Sequence, residues 1–230
     1  SGLELGLLSV YYNINDEGHK TVQNWLKSKD TWEANTPKSE KIWQILYTNE
    51  NIKFFSQKCG LKEKYDNLGF LHNYVHTKGF KYSNELGKLK SNTQTFEEDF
   101  LLKWLSTYEE VIVILITLHL LKYPIGLIKY DWSKKIGIDN PFPVLGDSQI
   151  DKLSEILPDE YYKELIDISK RDDETQHLLS YIQNIPDMTQ DELEEQITNL
   201  DKLSIEHHPN GFKGWEKEKK ALSKTNIYLF

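Results

Sequence analysis

The sequence predicts an all-α protein, and three observations support that prediction. Apolar residues recur at intervals of three and four along most of the 230 residues, which is the spacing of one face of a helix. Capping-box patterns, TFEE at Thr95–Glu98 and TQDE at Thr189–Glu192, precede apolar periodic runs. Proline and glycine interrupt the chain where one periodic run gives way to the next.

The first third of the chain is predicted to form five helical segments. They cover Leu3–Tyr12, His19–Asp30, Ser39–Asn49, Glu50–Lys58 and Leu61–Thr77. Gly60 is suited to the left-handed conformation that ends a helix. Trp25, Trp43 and Trp104 stand at core spacing, so we expect all three to pack inside the bundle.

The longest predicted helix runs from Phe96 to Tyr123 and ends at Pro124. The apolar stretch Val111–Ile128 overlaps the end of this helix. It is interrupted by His119, Lys122, Pro124 and Gly126 and falls short of the roughly 20 apolar residues that a membrane span needs. A buried core helix has the same composition, so we expect no membrane association and a cytoplasmic protein.

The predicted domains are a helical bundle at 1–130, a connecting segment at 131–147 and an acidic helical region at 148–230. The connecting segment is rich in Pro and Gly, and four shorter helices follow it. Trp132 and Trp215 lie in less periodic contexts, where a partner-binding surface is an alternative to packing.

Charge argues against a broad nucleic-acid surface. Residues 1–146 carry 18 Lys and 17 Asp or Glu, while residues 147–230 carry 10 Lys or Arg and 19 Asp or Glu. Proteins that bind nucleic acids owe much of their affinity to neutralised phosphates, which requires a basic stripe. A nucleic-acid site is therefore possible only as a local pocket.

Motifs for cofactor or nucleophile chemistry are missing from the sequence. Cys59 is the single cysteine, which excludes an internal disulfide and a cysteine-based zinc cluster and suits a reducing compartment. The sequence contains neither a G-x-S-x-G turn nor a glycine-rich phosphate loop. We expect no cofactor, and acidic runs such as RDDE are typical of a solvated face.

His72 and His76 are the weak metal candidates, in the stretch LGFLHNYVHTKGF. One helical turn separates them, so both could reach one ion. The zinc-protease pattern requires Glu directly after the first His, and this chain has Asn73 there. The competing interpretation places His72 in the core and His76 beside the free carbonyls of a helix end.

The phrase YDNLGFLHNYVHTKG resembles the helix ending of HEPN-like bundles of bacterial proteins, and LELGLLSVYYN resembles their first long helix. The resemblance covers Leu3 to Leu121. It implies a dimeric helical bundle, and in catalytic members a metal-independent ribonuclease with an Arg, four to six residues and then a His. The imidazole moves a proton, while the guanidinium stabilises the phosphorane charge.

His76 would be the matching histidine, but the permitted arginine positions hold Gly69, Phe70 and Leu71. Arg171 and His177 satisfy the bare spacing elsewhere, among acidic neighbours that would repel RNA phosphate.

The leading hypothesis is a non-catalytic helical binding or scaffold protein that acts by self-association or through a protein partner. The resemblance implies a link to stress, toxin–antitoxin or phage-defence systems. Two alternatives stay open. One is a divergent ribonuclease that uses His76. The other is a fragment of a longer protein, since the chain starts without Met, directly in an apolar run.

Overall fold

The structure, a computed structural model, describes residues 2–27, 37–75, 98–138, 141, 143–207 and 210–224. Within these ranges every regular element is a helix and no strand occurs, which confirms the all-α prediction. The helices are α1 (Gly2–Asn13), α2 (Asp16–Lys27), α3 (Ser39–Leu46), α4 (Glu50–Cys59), α5 (Leu61–Asn67), α6 (Leu71–Val75), α7 (Glu98–Lys122), α8 (Ser133–Ile136), α9 (Asp147–Ile156), α10 (Asp159–Arg171), α11 (Asp173–Asn184), α12 (Gln190–His207) and α13 (Gly211–Lys224). Two 3₁₀ segments cover Leu68–Phe70 and Pro124–Leu127.

Local sequence signals set several helix ends. Gly60 ends α4 in the left-handed region at φ 68°, and its N–H donates to the carbonyl of Ser56, as predicted. The predicted capping box starts α12: the Thr189 N–H donates to Glu192 Oε2 at 2.7 Å, and the Glu192 N–H donates to Thr189 Oγ1 at 3.3 Å. The other capping box begins at Thr95, which lies outside the described residues.

The chain divides into two compact units. Unit 1 comprises Ser1–Lys129 and Phe142–Leu179, and unit 2 comprises Tyr130–Pro141 and Ser180–Phe230. In unit 1, α7 contacts α1, α4, α5 and α10. The largest fully buried side chains of this unit include Leu7, Tyr11, Trp43, Phe55, Ile114, Leu118, Leu121 and Tyr161. Trp43 is thus a core residue, as expected.

The boundaries of these units differ from the expected division at 131–147. Apolar residues of α9 and α10 belong to the same core as α7, because α10 places Tyr161, Leu165 and Ile168 on one face at helical spacing. Apart from the buried Glu164, the acidic residues of α9 and α10 are exposed or half-buried. Acidic composition therefore does not separate α9 and α10 from the bundle.

Unit 2 is held together by hydrogen bonds to the short segment around α8. The Met188 N–H donates to the carbonyl of Lys134 at 2.8 Å, Lys135 Nζ donates to the carbonyl of Ile185 at 2.7 Å, and Gln196 Nε2 donates to the carbonyl of Ile136 at 3.0 Å. Trp132 is buried in the structure. The interpretation of Trp132 as a partner-binding residue is therefore wrong.

Candidate protein-binding surface

His72 lies in α6 with its side chain exposed, and its Nδ1 is 3.4 Å from Glu4 Oε1 of α1. The expected core position of His72 is therefore wrong. The 3₁₀ segment Leu68–Phe70 precedes α6, and it turns about 20° further per residue than an α-helix. Over three residues this rotates His72 by about 60° out of the apolar stripe that contains Leu61 and Leu68.

Of the two weak metal candidates, only His72 lies among the described residues. His76 lies outside the described residues, so the geometry of the His72 and His76 pair stays a prediction. Among the residues that the structure describes, no group of three or more His, Cys, Asp and Glu side chains is arranged to hold an ion.

The Arg171 guanidinium is engaged in an ion cluster of unit 1. Arg171 Nη2 donates to Glu164 Oε1 at 2.8 Å, and Lys58 Nζ donates to Glu164 Oε2 at 2.5 Å. The Glu164 side chain is buried, and the guanidinium lies 4.5 Å from the centre of the Phe54 ring. A phosphate would have to compete with a buried carboxylate for this arginine.

Two groups beside this cluster have structural roles. Asp172 accepts from the Thr175 N–H at 2.9 Å and from the Asn51 side chain at 2.6 Å, so it caps α11 and ties it to α4. Burial raises the pKa of the Cys59 thiol, with the Glu160 and Glu164 carboxylates adding to the effect. A raised pKa keeps the thiol protonated and makes it a poor nucleophile.

The first half of α7 carries an exposed apolar face. We call this the outer stripe: it consists of Leu101, Trp104, Leu105 and Tyr108, at spacing i, i+3, i+4 and i+7. Between 38% and 52% of each residue is accessible to solvent. The rings of Trp104 and Tyr108 stack with an interplanar angle of 3° and centroids 5.4 Å apart. The expectation that Trp104 packs in the core is wrong, and so is that for Trp25, which is 49% exposed.

The outer stripe and the core-facing residues lie on different sides of α7. Ile114, Leu118 and Leu121 in the second half of the helix are buried in the core of unit 1. At 100° per residue, the centre of the outer stripe is roughly 125° around the helix axis from the centre of these residues. The fully buried residues in the second half of α7 therefore do not lie in line with the outer stripe, whose own side chains are exposed.

Acidic residues lie along one edge of the outer stripe. Glu98, Asp99, Glu109 and Glu110 are exposed in the same part of α7, and Lys103 is the only basic residue between them. On the helical wheel, Glu98 and Glu109 border the stripe on one side, while Asp99, Lys103 and Glu110 lie on the far side. The surface therefore combines an apolar centre with one negatively charged edge.

By length and composition alone, Leu101–Lys122 of α7 is the one helix in the described ranges that could cross a membrane. One such helix is weak evidence, since core helices have the same composition. Leu118 and Leu121 have no exposed surface and pack in the core of unit 1, as the residues of a core helix do.

A shallow groove lies on α12 of unit 2. It is lined by Met188, Glu192, Glu195, Gln196, Asn199 and Leu200. The Oε1 of Gln196 is buried without a hydrogen-bond partner, while its Nε2 holds the end of α8. We assign Gln196 a structural role, because its side chain also fills the space that a Cβ at Gly137 would need.

Comparison of the chain with family models, curated proteins and solved structures finds no match. The HEPN-like resemblance therefore rests on its sequence phrases alone. The surface that the structure adds, the outer stripe, was missed because Trp104 was assigned to the core. Its signal was the i, i+3, i+4, i+7 pattern of LLKWLSTY, out of phase with the apolar residues that follow.

Proposed function

We propose that this chain is a non-catalytic helical binding protein whose contact surface is the outer stripe of α7. Its occupant is either a second copy of the chain or a different protein. The HEPN-like resemblance supports a helical bundle that works through association, and it also suggests a cytoplasmic bacterial setting in stress or phage defence.

The single observation that carries the proposal is the exposure of Leu101, Trp104, Leu105 and Tyr108 on one side of a helix. Each square ångström of apolar surface removed from water stabilises a complex by about 25 cal/mol. Trp and Tyr are also the residues that most often dominate protein–protein interfaces. A contiguous exposed apolar face is typical of interaction sites, which supports the proposal.

The ion cluster supports binding over catalysis. A ribonuclease of the HEPN type needs a guanidinium that is available to the scissile phosphate, and Arg171, the only arginine in the chain, donates to the buried Glu164. No described contact favours the alternative of a ribonuclease based on His76.

The proposal is tested by placing a photo-crosslinking amino acid at position 104 or at position 103, in cells that express the full chain. Position 104 lies in the outer stripe and position 103 on the opposite side of the same helix. We expect a discrete crosslinked species from position 104 and none from position 103. Equal crosslinking at both positions, or none at either, would contradict the proposal.

A further inference from the structure

We infer that the occupant of the outer stripe is a basic amphipathic helix of another protein, with an apolar face edged by Lys or Arg. This inference rests on the proposed function and adds the chemistry of the partner. Its basis is charge: the exposed carboxylates of Glu98 and Glu109 lie along one edge of the stripe, whereas Lys103 lies on the far side of the helix. A partner with cations along its edge complements that arrangement.

The geometry of the stripe fits a helix. Residues Leu101 to Tyr108 span two turns, about 11 Å along the axis, and present side chains at the spacing with which helices interlock. The stacked rings of Trp104 and Tyr108 offer a flat aromatic face. A Lys or Arg on the partner can lie over such a face and gain a cation–π interaction.

A second copy of the chain fits less well. Two copies of α7 that pair antiparallel about a two-fold axis place the same edge of each helix opposite its equivalent. With Trp104 facing Leu105 across the axis, Glu98 of one copy comes level with Glu109 of the other, within about 3 Å along the helix axis. Each interface would then carry two such pairs of like charges, which oppose self-association.

A lipid surface or a nucleic acid fits less well for the same reason. Helices that lie on membranes carry Lys and Arg beside their apolar face, because bilayer surfaces are anionic. Glu98 and Glu109 instead place negative charge beside the outer stripe, and an anionic bilayer would repel it. The same carboxylates repel the phosphates of a nucleic acid.

The test uses the full chain and a dye-labelled synthetic 14-residue helix of Leu and Lys with one apolar face. One control peptide has the same composition in an order without an apolar face, and a second has Glu in place of Lys. Protein variants are Leu101→Ser in the stripe, Leu102→Ser as the matched loss of an exposed Leu outside it, and the double variant Glu98→Gln/Glu109→Gln. Fluorescence anisotropy is followed at low and high salt, and sedimentation reports the oligomeric state.

We expect the Leu–Lys helix to bind wild type about tenfold or more tightly than either control peptide, a difference of about 1.4 kcal/mol. Leu101→Ser should lose about tenfold in affinity and Leu102→Ser should bind as wild type does. The double variant should bind more weakly at low salt and lose most of its salt dependence, since its edge charges are gone.

Equal binding of the acidic and basic helices would overturn the inference. So would binding to vesicles of anionic lipid that Leu101→Ser abolishes. A dimer that Leu101→Ser dissociates, without a preference for the basic helix, would overturn the inference and leave the proposed function standing. If Leu101→Ser changes neither peptide binding nor oligomeric state, and position 104 gives no crosslink, both fail.

Discussion

The guanidinium of Arg171 donates to the carboxylate of Glu164 two turns earlier in α10, at 2.8 Å. Glu164 is only 5% exposed, whereas about half of the Arg171 side chain is exposed. Lys58 of α4 donates a hydrogen bond to the other carboxylate oxygen of Glu164. The buried anion is thus held from two helices, and it ties α4 to α10.

Removing both Lys58 and Arg171 should lower the free energy of unfolding by more than the sum of the two single effects. Lys58→Ala and Arg171→Ala each leave Glu164 one partner, so we expect each to lower the free energy of unfolding only slightly. The double variant leaves the buried Glu164 carboxylate without either cation. We expect its free energy of unfolding to fall by about 1–2 kcal/mol more than the sum of the single effects. Urea unfolding of wild type, the two single variants and the double variant gives the coupling energy between the two substitutions.

The control for this cycle is Glu164→Gln in the double variant. The amide carries no charge, so it should recover most of the extra loss. Strict additivity of the two single variants, or no recovery by Gln, would contradict the role assigned to the buried carboxylate.

Substitutions in the outer stripe should leave stability nearly unchanged. We expect Leu101→Ser and Tyr108→Ser to shift the free energy of unfolding by no more than about 0.5 kcal/mol, because these side chains are exposed. Leu118→Ala in the same helix should cost about 2–5 kcal/mol. Thermal and urea unfolding measure both. A loss above about 2 kcal/mol from Leu101→Ser would mean that the chain itself covers the stripe.

The start of α12 should loosen in acid. Hydrogen bonds from the backbone N–H and the hydroxyl of Thr189 lower the pKa of the Glu192 carboxyl below its ordinary value of 4.5. Because the folded pKa is the lower one, the carboxylate stabilises the helix above pH 4.5, and that contribution is lost as the pH falls through the folded pKa.

Amide hydrogen exchange in the first turn of α12, followed between about pH 7 and pH 3 and corrected for intrinsic rates, measures this loss. Glu192→Gln should abolish the pH dependence of protection there. Thr189→Ala should weaken the helix start by about 1 kcal/mol at neutral pH. Equal pH dependence in wild type and Glu192→Gln would contradict this account.

Single-stranded RNA should stay intact with wild type and with His76→Ala in excess chelator. The positions where the HEPN motif places its arginine hold Gly69, Phe70 and Leu71, so guanidinium stabilisation of the phosphorane is missing there. Gel analysis of labelled RNA checks this. Cleavage by wild type that His76→Ala abolishes, with its fold unchanged, would restore the ribonuclease alternative.

Local features of the structure were largely predictable from the sequence. The left-handed end of α4 at Gly60 and the capping box at Thr189 follow from residue chemistry within a few positions. Trp43 was placed correctly in the core, but Trp25 and Trp104 were not. Periodicity shows which residues share a face of a helix, and it does not show what that face meets.

Non-local features were not predictable from periodicity or charge. In α7 two apolar faces follow each other out of phase, and only the packing of α1, α4, α5 and α10 determines which one is buried. His72 left its predicted stripe because a three-residue 3₁₀ segment changed the phase of the helix. The acidic composition after residue 147 suggested a separate region, although Tyr161 and Leu165 complete the core.

The interleaved order of the two units has a consequence for synthesis on the ribosome. Tyr130–Pro141 of unit 2 is translated before α9 and α10, the last elements of the unit 1 core, and its hydrogen-bonding partners around Met188 are translated later still. Residues 1–129 alone lack Tyr161, Leu165 and Ile168, so the core surface of α7 stays uncovered, and accessible to chaperones, from the moment it leaves the exit tunnel until α10 follows. Cooperative folding of unit 1 must wait until α10 has left the exit tunnel.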